Sequence, residues 1–184
     1  MGLPDAAVIA SGDPATRTAV RSAVLERFTR LIAGADSATR TLAVWCGEPP
    51  TTRIHTREEA ATLPKEALLL GLPRTTTVQR RHITHRRRDG TVLARPARRC
   101  GWTAPSCRAR WWRGCARGRS RWGELLGPLG MRRRTLRANR LCDYSRPLEY
   151  DDQDRAVLLV SAALEVAHER VALVEETYLE PVLW

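Results

Sequence analysis

The stretch "VALVEETYLEP" (Val171–Pro181) sets two adjacent carboxylates, Glu175 and Glu176, inside an apolar, β-favouring run. Side chains alternate across a strand, so one of the two must share a face with Ala172, Val174 and Tyr178. A carboxylate on such a face can accept hydrogen bonds from a ligand hydroxyl or help a proton leave. A plainer role is pairing with a neighbouring arginine. A second stretch, "TTTVQRRHITHRR" (Thr75–Arg87), carries Arg80 and Arg81 in another β-favouring run. A buried arginine clamps a carboxylate through two parallel charge-assisted hydrogen bonds, whereas an exposed one belongs to a solvated strand face.

Other candidates are poorer. His82 and His85 are three apart on a strand, face opposite sides, and make a poor metal pair. Cys100, Cys107 and Cys115 are spaced by six and seven residues, unlike the short Cys-x-x-Cys pairs of zinc sites. Ser37 and Thr39 read as turn and cap residues, since no histidine is placed to activate either. No metal site is expected.

Elements must position these groups. Asp13, Pro14 and the spacing of Val20, Val24, Phe28, Leu31 and Ile32 predict a helix over 14–33, closed by Gly34. "TLAVW" (Thr41–Trp45) reads as a strand and "TTRIHT" (Thr51–Thr56) as its hairpin partner across "GEPP". "REEAATLPKEALLLGLP" (Arg57–Pro73) holds one or two helical turns, broken at Pro64. The Thr75–Arg87 strand runs into Asp89-Gly90, a strong hairpin signal, and then "TVLAR". "WGELLGPLGMRRRTLR" reads as helix-like. "RAVLLVSAALEV" (Arg155–Val166) and the Val171 strand flank "AHER" as a last hairpin. One early helix followed mostly by antiparallel hairpins predicts a single α+β domain across 1–184.

The net charge of +11 comes from one segment. Between Gly90 and Gly123 there are nine arginines and no acid, and without them 22 basic residues stand against 20 acidic ones. The segment also holds Trp102, Trp111, Trp112 and Trp122. Arginines for phosphates and tryptophans for bases would suit nucleic acid, yet the stretch has neither helical nor strand period. We read 95–122 as a poorly matching segment, frame-shifted or disordered, and do not expect nucleic acid as the partner. No run approaches the ~20 apolar residues of a membrane span. "MGLPDAAVIASGDPATR" has no basic n-region, so the expected location is cytoplasmic.

Several stretches together resemble one family. "LIAGADSATRTL" (Leu31–Leu42) resembles the opening signature of the chorismate pyruvate-lyase family. "RRHITHRRRDGTVLAR" (Arg80–Arg95) is similar to its central hairpin, "WGELL" or "GPLG" to its Pro-Leu-Gly segment, and "VEETYLEP" to its terminal Glu-x-aromatic-Leu strand. The resemblance spans roughly 25–95 and 122–181 and implies an antiparallel sheet covered by helices on one side, with an internal ligand cavity. It implies a cofactor-independent carbon–oxygen lyase that releases pyruvate from chorismate and leaves 4-hydroxybenzoate or a positional isomer. Arg81 would clamp the ring carboxylate, with Arg80 as the one-residue-shifted alternative, and Glu176 would be catalytic. The alternative from another class is a non-catalytic small-ligand-binding domain, because the effector domains of some bacterial transcription regulators share this fold. No helix-turn-helix is legible here, and the first ~35 residues are too short to supply one.

Overall fold

The computed structural model describes residues 13–100, 129–142 and 155–184, with the backbone alone for 97–100. Helix α1 (Pro14–Ala33) begins where expected. The Asp13 carboxylate accepts from the amides of Ala15 at 2.9 Å and Thr16 at 3.1 Å. The Thr16 hydroxyl, which also donates to this carboxylate, and then these amides hold the Asp13 carboxyl below the usual carboxylate range. The helix buries Val24, Leu25, Phe28 and Ile32.

"TLAVW" is not a strand. It lies in helix α2 (Ala38–Cys46), capped by the Ser37 hydroxyl and closed by Gly47 in the left-handed region. Ala38, Leu42 and Trp45 are buried at helical spacing, while Val44 is exposed. The five-residue window is β-favouring, but the cap at Ser37 and the partners of Trp45 decide its state. Its indole N–H donates to the carbonyl of Val182 at 2.6 Å. The hairpin across "GEPP" is therefore absent.

Strand β1 (Thr51–Ala61) instead pairs with β2 (Thr77–Arg86), and "REEAA" continues the strand rather than forming a helical turn. Helix α3 (Pro64–Leu70) follows, closed by Gly71. The Asp89-Gly90 turn then leads from β2 into β3 (Val92–Cys100), with the Asp89 carboxylate accepting from the Thr91 amide at 2.8 Å. "MRRRTLR" is likewise strand and not helix: β4 (Arg132–Arg140) has no apolar helical face and pairs along the apolar β5 (Ala156–Val166). Tertiary pairing overrides the helix propensity of arginine and leucine.

The last hairpin is as expected. β5 turns into β6 (Glu169–Leu179) through Ala167 and His168, both at positive φ, as a tight two-residue turn requires. A 3₁₀ turn (Glu180–Leu183) follows.

The six described strands join one antiparallel sheet in the order β1-β2-β3-β6-β5-β4. The two long-chain neighbours in its centre, β3 and β6, bring the segment after Arg80 against the segment around Glu176. Helices α1 and α2 cover one face through a core that includes Phe28, Trp45, Ala94, Leu158, Val160 and Tyr178. Phe28 lies 5.2 Å from the Trp45 ring and 5.1 Å from the Tyr178 ring. The short α3 packs at one end of the opposite face, against Val78 and Leu173. Among the described residues no helix is long and apolar enough to cross a membrane.

Of the 95–122 segment, residues 95–100 lie in β3, paired on both sides. The β2–β3 ladder holds one register from Gln79 to His85 but lacks the pairs of Ile83 with Pro96 and Thr84 with Arg95, and it shifts between His85 and Arg86. Proline supplies no N–H for such a rung. Residues 101–122, with Cys107 and Cys115, and the "WGELLGP" stretch lie outside the described residues.

Candidate functional site

Residues opposite one another in an antiparallel sheet share a face. Arg81 is in register with Arg98, and Arg98 with Val174, while Glu176 is in register with Pro96. Arg81 and Glu176 therefore sit on the same face, two strands apart and two residues out of line. Two strand spacings are about 10 Å, within reach of a long arginine and a small ligand together. Tyr178 belongs to this face too, so it is the one covered by α1 and α2.

Both groups are buried, Arg81 at 3% exposed and Glu176 at 2%. The Arg81 Nε donates to Gln79 Oε1 at 2.6 Å. Gln79 is itself buried on this face, and its Nε2 has no acceptor among the described residues. A buried amide donor beside a guanidinium is a polar end built for an acceptor-rich group.

Arg80 is placed differently. It points to the opposite face, where its Nη2 lies 3.3 Å from Glu66 Oε2 and donates to the carbonyl of Ala61 at 3.1 Å. Glu66 also accepts from the Leu63 amide, so Arg80 ties β2 to the start of α3. One residue along a strand reverses the face, and that separates the two arginines.

Glu176 has partners that its sequence neighbourhood does not reveal. Its Oε2 accepts from Arg133 Nη2 at 2.8 Å and from the Tyr178 hydroxyl at 2.9 Å. Arg133 on β4 is the missed residue. It is as buried as Glu176, with each side chain 3% exposed. Its Nη1 donates to the carbonyls of Ile32 at 3.0 Å and Ala35 at 3.3 Å and to Thr135 Oγ1 at 2.8 Å. Its Nε is buried without an acceptor among the described residues. Glu176 thus does pair with an arginine, and the pair lies in the core. The only signal for Arg133 was its position two residues after Met131 at the start of a strand, in a run read as helix.

Glu175, by contrast, is exposed, and so is His82; His85 is buried with its Nδ1 3.0 Å from Thr52 Oγ1. The histidines face opposite sides, as strand alternation requires. Among the described residues no cluster of three His, Cys, Asp or Glu groups is arranged to hold a metal ion. Ser37 is the α2 cap. A crevice of about 240 Å³ opens between the start of β4 and the β5–β6 turn, lined by Leu129, Gly130, Arg132, Glu165, Ala167 and His168. Neither Arg81 nor Glu176 lines it.

No family model matches this chain, and no curated protein matches it. Solved structures do. PhnF from Mycobacterium smegmatis aligns over 90% of this chain and 81% of its own, at 14% identity and a TM-score of 0.56. Its effector domain solved separately aligns over 79% of this chain and 90% of its own, at the same identity and TM-score. The ligand-binding domain of a protein described as a GntR-family transcriptional regulator from Bordetella bronchiseptica aligns at a TM-score of 0.49, too low to add to the argument. At 14% identity the likeness concerns the fold: this chain is an α+β domain built like the effector domain of PhnF.

Proposed function

We propose that this chain is a small-molecule-binding domain whose ligand carries an acceptor-rich anionic group, such as a carboxylate, held by Arg81 and Gln79. The observation that carries this reading is the buried polar face itself. Arg81 and Glu176 share it, and Gln79 Nε2 lies there without a partner among the described residues. Burying an amide donor such as Gln79 Nε2 is costly unless something pairs with it. The fold likeness to an effector domain supports the same reading.

The finer reading, elimination of pyruvate from chorismate, asks Glu176 to handle a proton. Glu176 Oε2 already accepts from Arg133 and Tyr178 and compensates the Arg133 charge. Binding without turnover is the better-supported function. Nucleic-acid binding through 95–122 draws no support from β3, whose first residues are internal to the sheet.

Titrating chorismate into the protein by calorimetry, with pyruvate assayed in the same cell, separates these readings. Saturable heat with no pyruvate above the background rate is expected. Pyruvate released in proportion to enzyme would restore the lyase, and the absence of binding to chorismate and 4-hydroxybenzoate alike would remove the carboxylate proposal.

A further inference from the structure

Arg133 joins the carboxylate of the candidate site to the C-terminal end of α1. An α-helix leaves its last carbonyls without intrahelical donors, and they are commonly satisfied by a left-handed glycine cap. Gly34 does not adopt that conformation; its φ is −86°. Its amide returns to Arg30 at 3.2 Å and the Ala35 amide to Ile32 at 3.4 Å, both long bonds. The Arg133 guanidinium adds a second donor to the Ile32 carbonyl and one to the Ala35 carbonyl just past the helix, from a different element. A cation there also suits the negative end of the helix dipole.

The other half of the guanidinium is held by Glu176. A flexible arginine stem is fixed only while both ends are engaged. We propose that Arg133 is a latch: Glu176 positions it, it holds the last turn of α1, and a ligand donor that takes over Glu176 Oε2 releases that turn. The body of α1 stays seated, because Val24, Leu25 and Phe28 bury its earlier turns in the core. The ligand half of this inference rests on the proposed function; the link between Glu176 and α1 does not.

Hydrogen exchange of the full chain, read at the Gly34 and Ala35 amides, tests both halves. Glu176→Gln weakens the charge-assisted bond to Arg133 and is expected to speed exchange at these two amides about tenfold, equivalent to about 1.4 kcal/mol. Arg133→Lys should do the same, since an ammonium lacks the planar fork that spans both partners. Glu165→Gln, which removes the partner of Arg134 and Arg170, should leave them unchanged. Amides in β5 serve as the internal reference: acceleration there by the same factor means general destabilisation and overturns the latch, as does unchanged exchange at Gly34 and Ala35 in Glu176→Gln. Saturating 4-hydroxybenzoate, with binding measured separately by calorimetry, should speed the same two amides in the wild type. Binding without that change overturns the release step. Failure to bind counts against the ligand reading, while the variants still decide the link.

Discussion

Replacing Arg133 with alanine is expected to lower the unfolding free energy by about 3–5 kcal/mol, the cost of stranding one partner of a buried ion pair. Glu176 would remain 2% exposed with the Tyr178 hydroxyl on Oε2, the Ala35 carbonyl would lose the Arg133 donor, and the Ile32 carbonyl would keep the longer bond from the Ala35 amide. The attraction itself is not the source of the loss. Two ions taken out of water surrender hydration comparable to what they regain from each other, so removing both is far milder than removing one. Arg133→Met combined with Glu176→Leu should therefore recover most of the loss. Guanidinium denaturation of the two variants against the parent measures the difference. A loss below about 1 kcal/mol for Arg133→Ala would mean that the pair is open to water.

Arg81→Ala should weaken binding of a carboxylate ligand about 10- to 100-fold, because a hydrogen bond to a charged group contributes about 1.5–3 kcal/mol. Arg81→Lys should rescue little: a point charge cannot reproduce two parallel bonds or the contact with Gln79 Oε1. Arg80→Ala provides the contrast. It removes the pair with Glu66 on the other face, so it should affect the docking of α3 and leave affinity unaltered. Calorimetry on the three variants with 4-hydroxybenzoate reads the difference. Equal weakening by Arg80→Ala and Arg81→Ala would mean a general loss of structure rather than a clamp.

The parts of this fold legible in the sequence are those fixed by local chemistry. Asp13 and Pro14 announce α1, Asp89-Gly90 announces the β2–β3 turn, and alternation along Val171–Pro181 puts Glu176 with Val174 and Tyr178. What escaped depended on distant partners. α2 is a helix because Ser37 caps it and Trp45 finds Val182 across 137 positions of sequence. β4 is a strand because β5 offers it an apolar edge, although its own residues favour a helix. That misreading also hid Arg133. Its importance lies wholly in Glu176 and the end of α1, 43 and 101 residues away. Likewise, Arg80 and Arg81 differ by one strand position, and only the pairing of β2 with β3 and the seat of α3 decide which of them joins Glu176.

The central claim is that the ligand meets the α1-covered face of the sheet at Arg81 and Gln79. Nitrogen-15 NMR of the side-chain N–H groups during titration with 4-hydroxybenzoate tests it most directly. The account predicts that the Arg81 Nε and Gln79 amide signals move together and saturate with the calorimetric affinity, while Arg80 Nε stays still. Movement confined to Arg80 and its neighbours on the α3 face, with Arg81 and Gln79 unmoved at saturation, would contradict it.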